Sequence, residues 1–183
     1  VHRHGDPGAN PDANADMFRS AIAALAAGRA LLIFPEGTSQ AQPVLLPLKT
    51  GAARMLLAAQ AAHAGGLGVR LVPAGLVYHE PGRFRVGRAL VMFGDPVETA
   101  DCVALYATDP QEAVRRLTER LAQRMRGLIV EADDRETLRL LDMLEAMGRE
   151  ESAPPGGEAA RAAWMRQAMR AYRWLHAREP ARV

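Results

Sequence analysis

The sequence contains little cysteine and no long hydrophobic segment. Cys102 is the only cysteine among 183 residues, which excludes an internal disulfide and is typical of a reducing compartment. No apolar run approaches the roughly 20 residues that a membrane-spanning helix needs, and no segment resembles a signal peptide. The 23 basic residues exceed the 21 acidic ones too slightly to indicate a nucleic-acid partner. Length and composition favour one globular domain with an appendage.

Lysine is scarce as well. Lys49 is the only lysine, and every other basic side chain is an arginine. This preference for arginine, together with abundant alanine, is typical of a GC-rich bacterial genome. Lys49 is therefore an exception to this preference, which suggests that a lysine has a specific role at that position.

The most informative motif is F-P-E-G-T-S at residues 34–39, directly after the apolar run at 30–33. Such a run predicts a buried strand, and Pro35 must end it because proline has no N–H for a sheet ladder. The following turn places the carboxylate of Glu36, the flexible Gly37 and the hydroxyl of Thr38 at the carboxyl end of the strand. Open α/β sheets bind their ligands at such strand ends.

Helical and strand-like hydrophobic patterns alternate along the first half of the chain. We expect, in this order, a helix ending at Gly28, a strand over 30–34, a helix capped by Thr50 and ended by Gly65, and strands over about 70–78 and 84–93. Strand, helix and strand imply a right-handed crossover. The predicted fold class is therefore α/β, with a largely parallel or mixed sheet flanked by helices and a helical C-terminal extension that starts near Pro110.

The predicted domain organisation follows from these patterns. We expect a core over residues 1–105, a helical extension over 106–149, a Pro/Gly-rich linker over 150–158 and an amphipathic helix over 159–183. The last helix mixes Trp164, Tyr172 and Trp174 with many arginines. A docking helix is its simplest interpretation, although arginine beside interfacial aromatics also suits an anionic lipid surface.

Three blocks of sequence occur in a recognisable order: F-P-E-G-T at 34–38, P-L-K-T-G-A-A at 47–53 and V-P-A-G-L at 72–76. Together they closely resemble the glycerolipid acyltransferase superfamily, which includes lysophosphatidate and glycerol-3-phosphate acyltransferases. An ordered set is far more specific than any single block. The resemblance covers roughly residues 1–100. It implies an enzyme of phospholipid synthesis that moves a fatty acyl group from acyl-CoA or acyl carrier protein to a glycerol-phosphate or lysophospholipid acceptor, without a metal or bound cofactor.

One family feature is missing from the chain. Family members begin catalysis with an H-x-x-x-x-D box, and none of the five histidines here is followed by a carboxylate at that spacing. The chain is interpreted as the C-terminal part of an acyltransferase whose N-terminal segment is absent, with the base histidine upstream and no catalytic residue in these 183 residues. The full-length protein is then an enzyme and this fragment inactive. The protein is expected on the cytoplasmic side of the membrane, peripheral or anchored by the missing segment.

The alternative is a family member without catalysis. It keeps the fold but has lost the box, and it binds lipid phosphate or docks on a membrane.

The sequence also predicts how the acceptor is held. Lys49 precedes the proposed cap Thr50, so its ammonium group and the N–H groups of a helix N-terminus converge on an anion. A solvated lysine at a helix start is an equally simple interpretation. Glu36 repels a phosphate but accepts hydrogen bonds from a glycerol hydroxyl. The resemblance adds a phosphate-binding arginine and a proline beside the acyl group, so the predicted substrate-binding residues are Arg3, Glu36, Gly37, Thr38, Lys49 and Pro73.

At other positions the sequence departs from the family pattern, or a structural interpretation is simpler than a functional one. Ser39 stands where many lysophosphatidate acyltransferases have a phosphate-binding arginine, which shifts the predicted charge onto Arg3, Lys49 and Arg54. The arginines at 83, 85 and 88 resemble the branch that acylates glycerol 3-phosphate and dihydroxyacetone phosphate. His2, His4 and Asp6 favour a polar loop over a metal site. Cys102 is a packed or surface thiol rather than a nucleophile.

Overall fold

The computed structural model describes residues 11–38, 44–78, 89–132, 135–149 and 157–178. Within these ranges the protein is rich in helix and contains a small sheet. The elements in chain order are α1 (Pro11–Ala26), α2 (Gly51–Ala62), β1 (Ala74–Tyr78), β2 (Ala89–Phe93), α3 (Ala100–Tyr106), α4 (Pro110–Arg126), α5 (Arg135–Arg149) and α6 (Gly157–Arg178). In the described part of the chain, no helix combines the length and the apolar character needed to cross a bilayer.

The chain divides into two compact units. The first contains residues 1–38, 47–71 and 96–121, and the second contains residues 39–46, 72–95 and 122–183. Helices α1, α2, α3 and most of α4 therefore belong to the first unit. The two strands and helices α5 and α6 belong to the second.

Helix α2 supplies much of the core of the first unit. The side chain of Leu57 in α2 is fully buried, as are those of Cys102 in α3 and Leu117 in α4. Helices α1 and α3 both pack against α2. Burial of a leucine side chain contributes about 1.5–3 kcal/mol. These contacts hold α2 in place, and with it the segment that enters the helix at Lys49.

The two predicted helix ends at glycine are confirmed. Gly28 follows α1 with φ 73° and donates its N–H to the carbonyl oxygen of Leu25 at 3.0 Å. Gly65 follows α2 with φ 79° and donates its N–H to the carbonyl oxygen of Gln60 at 2.7 Å. Glycine adopts this left-handed backbone without a Cβ penalty, which is why it ends helices so often.

In the second unit, β1 and β2 form an antiparallel pair in which Gly75 lies opposite Met92. The pair packs closely on Leu128. A Cβ built on Gly75 would lie 2.8 Å from the Cβ of Leu128, and one built on Gly94 would lie 3.1 Å from its Cδ1. Glycine is therefore required where the strand pair meets this segment.

Helices α5 and α6 form a second cluster of buried side chains in the same unit. Leu141 of α5 and Met165 and Met169 of α6 pack around Ala132. The predicted helices in this part of the chain, including the one that starts near Pro110, are confirmed by α4, α5 and α6.

The sheet differs from the predicted one. Among the described residues it contains only β1 and β2, and these two strands are antiparallel. The predicted strand over 30–34 is not formed, and Leu32 and Phe34 are 79% and 69% exposed rather than buried. An apolar run becomes a strand only when a neighbour pairs with its N–H and C=O groups, and no described strand pairs with this one.

Several predictions lie outside the described residues. The start of the predicted strand over 84–93, with Arg83, Arg85 and Arg88, is among them. So are Arg3, Ser39, the group His2, His4 and Asp6, and most of the predicted linker over 150–158. The predicted division into core, extension, linker and terminal helix stays a prediction.

Candidate functional site

The F-P-E-G-T motif forms a tight turn. The N–H of Gly37 donates to the carbonyl oxygen of Phe34 at 3.2 Å, which places Pro35 and Glu36 at the two central positions. Proline suits the first central position because its φ is already set, and glycine suits the position that closes the turn. Gly37 has φ 70°, a value that other residues rarely adopt. The local sequence therefore determines this turn.

The backbone of Lys49 is bound directly to the turn. Its N–H donates to the carbonyl oxygen of Pro35 at 2.7 Å. Its side chain lies over Gly37, since a Cβ built on that glycine would be 3.2 Å from the Cγ of Lys49 and 3.8 Å from its Cε. The absence of a side chain at position 37 is thus what lets the lysine stem lie across the turn. The contact between Lys49 and Gly37 thus joins the P-L-K-T-G-A-A block to the F-P-E-G-T block.

Helix α2 begins immediately after Lys49. Thr50 occupies the N-cap position, and its carbonyl oxygen accepts the N–H of Arg54 at 2.9 Å. The predicted cap position is confirmed, but the Thr50 side chain makes no capping hydrogen bond. The space beside Gly51 is open, because a Cβ built there would meet no atom within 4 Å. Lys49 therefore directly precedes the positive end of a helix dipole and a position with open space, and a helix start of this kind favours an anion.

Arg54, in the first turn of α2, contacts an aromatic ring of α1. Its guanidinium carbon lies 4.9 Å from the centre of the Phe18 ring of α1, a cation–π distance. This contact joins α1 to the first turn of α2. The predicted role of Arg54 as an additional phosphate ligand stays a prediction.

The remaining predicted residues are placed as follows. Glu36 is half-buried and Thr38 is exposed, both in the turn beside Gly37. Pro73 belongs to the second unit, where it is fully buried and its carbonyl oxygen accepts the N–H of Gly94 at 2.9 Å. The structure thus brings Lys49 onto Gly37. The binding roles of all six residues stay predictions.

A small apolar cavity lies in the first unit, and part of its lining comes from residues that directly precede the motif. Its volume is about 60 Å³, and its lining includes Leu31, Ile33, Met55 and Leu56, with Arg70 as its charged member. An apolar cavity of roughly 150 Å³ takes up one benzene molecule. This cavity is therefore too small for a fatty acyl chain, and the sequence pattern alone did not predict it.

Comparison with known proteins identifies relatives of this chain. The family model named Acyltransferase matches residues 6–77. Glycerol-3-phosphate O-acyltransferase 1 of Saccharomyces cerevisiae is 36% identical over 126 residues, which are 67% of this chain and 16% of that protein. Glycerol-3-phosphate O-acyltransferase 2 of the same yeast is 33% identical over 129 residues, 70% of this chain and 17% of that protein.

A third relative, an uncharacterised acyltransferase of Schizosaccharomyces pombe, is 36% identical over 119 residues, 64% of this chain and 17% of that protein. The chain thus spans 16 to 17% of the length of these relatives. All three are yeast proteins, so they do not support the bacterial origin that the composition suggested. No solved structure matches the chain.

Proposed function

The chain belongs to the glycerolipid acyltransferase superfamily, and from this premise we propose that the complete protein transfers a fatty acyl group from an acyl thioester to a hydroxyl of glycerol 3-phosphate. The observation that carries the proposal is the position of Lys49. Its stem lies on Gly37 of the F-P-E-G-T turn, and its backbone enters the N-terminus of α2. Two of the family's sequence blocks meet at a place suited to an anion.

The phosphate of the acceptor is the anion we assign to this place. The Lys49 ammonium supplies a full charge, and the first N–H groups of α2 add donors that point along the helix axis. Thr38 supplies a hydroxyl at the exposed side of the turn, and Arg3 a further charge. Glu36 orients the glycerol hydroxyls, because a carboxylate accepts their hydrogen bonds and repels the phosphate.

Glycerol 3-phosphate is preferred over lysophosphatidate as the acceptor. Two of the relatives are named glycerol-3-phosphate O-acyltransferases. Ser39 also replaces the arginine expected in many lysophosphatidate acyltransferases. The donor is acyl-CoA or acyl carrier protein, and the assay below compares them.

The reaction needs a base that these 183 residues do not contain in the H-x-x-x-x-D pattern. We infer that the complete protein supplies this histidine. The acceptor oxygen attacks the thioester carbonyl, a C–O bond forms, the C–S bond breaks, and the hydroxyl proton passes through the base to the leaving thiolate. General-base help contributes roughly 10²–10⁴-fold, so the 183 residues alone should be inactive.

The test uses the complete product of the open reading frame that encodes these residues. Transfer of labelled acyl groups to glycerol 3-phosphate is measured with acyl-CoA and with acyl carrier protein, for the wild type and for Lys49→Met. A hydrogen bond to a charged group contributes about 1.5–3 kcal/mol, so KM for glycerol 3-phosphate should rise about 10- to 100-fold in this variant. Arg124→Met, which removes another exposed positive charge from α4, is the control.

Three outcomes would contradict parts of the proposal. An unchanged KM in Lys49→Met would remove the lysine from the site. Robust transfer by the 183 residues alone would show that the base lies within them. Binding of glycerol 3-phosphate without transfer by the complete product would favour the alternative, a lipid-phosphate-binding member of the family that has lost the base.

A further inference from the structure

Helix α6 is rich in arginine and tryptophan. Its 22 residues contain five arginines and one glutamate, a net charge of +4. Both tryptophans of the protein, Trp164 and Trp174, lie on it as well. Cationic and aromatic residues are thus concentrated in one element.

One face of α6 is committed to the core of the second unit. Ala162, Met165 and Met169 are buried, and Tyr172 packs beside them. Arg166 lies partly within this face, where its Nη1 is 3.7 Å from the sulfur of Met92, and burial lowers the pKa of its guanidinium. This face fixes the orientation of the helix.

The opposite face is exposed and carries large apolar side chains. Trp164, Trp174 and Leu175 are 38%, 55% and 46% exposed. With Gln167, Ala171 and Arg178 they recur at intervals of three and four residues, so they form one stripe along the helix. We call this set the tryptophan stripe.

Arginines accompany the stripe. The guanidinium of Arg178 lies 4.1 Å from the ring of Trp174, and Arg170 is exposed. A tryptophan with an arginine stacked on it presents an apolar ring and a positive group side by side. Water solvates the cation but not the indole, so a purely aqueous surface suits only half of this pair.

We propose that the tryptophan stripe of α6 binds the surface of an anionic lipid bilayer, with its axis parallel to the membrane. Tryptophan favours the boundary between headgroups and acyl chains, and arginine attracts acidic headgroups. The exposed arginines Arg170 and Arg178 assign an anionic rather than a neutral surface. The cytoplasmic leaflet carries such lipids, which places the protein on that side. The inference goes beyond the proposed acyl transfer and does not depend on it.

The tryptophans themselves report on the test. Because both lie on α6, the tryptophan fluorescence of the 183-residue chain, excited where tyrosine does not absorb, reports on this helix alone. Vesicles of phosphatidylcholine with 30% phosphatidylserine should shift the emission to shorter wavelength, and lipids brominated near the headgroup should quench it. Pure phosphatidylcholine vesicles, or high salt, should reduce binding because the attraction is electrostatic.

Point variants identify the surface. Each arginine near an anionic membrane contributes about a fivefold gain in binding, so the double variant Arg170→Gln with Arg178→Gln should lose about 25-fold in vesicle cosedimentation. Trp174→Ser should lose binding as well. Phe93→Ser removes an exposed aromatic from β2 and serves as the control, because Phe93 is 73% exposed outside α6. Deletion of α6 is unsuitable, since it would also remove Met165 and Met169 from the core.

The wild-type measurement needs no variant, so misfolding cannot obscure it. Emission unchanged by phosphatidylserine vesicles would overturn the proposal. So would equal binding of the double-arginine variant and the wild type. A blue shift that appears without lipid as protein concentration rises, with a doubled mass in light scattering, would instead identify a second copy of the chain as the occupant and would also overturn it.

Discussion

The N–H of Lys49 donates a 2.7 Å hydrogen bond to the carbonyl oxygen of Pro35. These residues lie in different sequence blocks, and the bond holds the start of α2 against the F-P-E-G-T turn. The proposed phosphate site depends on this relationship, because it determines where the only lysine of the chain stands relative to the turn.

The first prediction concerns Gly37. Gly37→Ala forces a left-handed backbone on alanine, which costs about 1–2 kcal/mol, and brings its Cβ to 3.2 Å from the Cγ of Lys49. We expect lower stability and weaker binding of glycerol 3-phosphate, measured by thermal unfolding and calorimetry. Gly28→Ala is the matched control, since φ is 73° there and no atom lies within 4 Å. It should lower stability alone; an equal loss of binding in both variants would refute the role of Lys49.

A second prediction concerns the antiparallel strand pair of the second unit. Gly75→Ala would place a Cβ 2.8 Å from the Cβ of Leu128 and 2.9 Å from its carbonyl oxygen. Backbone atoms cannot rotate away, so we expect a loss of about 1–3 kcal/mol in the free energy of unfolding, measured in urea. In Gly94→Ala the nearest atoms, at 3.1 Å, belong to the side chains of Leu128 and Pro73. That variant should lose less, and the reverse order would contradict the packing described.

The third prediction concerns pH. The guanidinium of Arg120 donates two 2.8 Å hydrogen bonds to the carboxylate of Asp101, which hold its pKa well below the usual range. In the unfolded chain this group protonates near pH 4. The pair therefore stabilises the fold above about pH 4, and the contribution is lost as the pH falls further.

Because the side chain of Asp101 is 55% exposed, solvent screens the pair and its contribution is at most about 1 kcal/mol. Asp101→Asn should lower Tm by about 2–4 °C at pH 7. The difference from wild type should shrink in acid, as scanning calorimetry can show. Asp95→Asn, an equal charge change at another exposed position, is the control. A deficit that stays constant down to pH 2 would argue against the ion pair.

The fourth prediction uses Cys102. Its thiol is fully buried in α3, and burial raises its pKa. The thiolate is the reactive form, so a thiol reagent should label the folded chain far more slowly than the urea-unfolded chain. As the only cysteine, it reports opening of the first unit. Labelling at the unfolded rate under native conditions would show that the Cys102 thiol is accessible in the folded chain. A role for Cys102 as a nucleophile would then have to be considered again.

Local signals predicted part of this fold well. Glycines end α1 and α2 as expected, because a helix stop depends on the backbone freedom of a single residue. The apolar stripes of α4 and α5 likewise carry the helical period within their own sequence. In contrast, α3 was missed, because seven residues are too few to show a period. Only Thr99 at its N-cap position and Asp101 in its first turn marked it.

Strand pairing was the least predictable feature. The apolar run at 30–33 has the composition of a strand, yet it is exposed and unpaired with any described strand. Strand formation depends on a partner that can lie anywhere in the chain, so the run alone does not determine it. Gly75 is a similar case, because the need for glycine becomes visible only once Leu128 is seen against it.

The family of this protein was determined by sequence alone. The blocks around Glu36, Lys49 and Pro73 identify it, because the order and spacing of chemically distinctive residues are properties of the chain itself. Only the tertiary structure decided that the stem of Lys49 lies on Gly37, that Arg54 lies over the ring of Phe18, and that the tryptophans of α6 face outward. Each of these depends on how helices pack, since packing determines which side of an element is buried and which remains for a ligand or a surface.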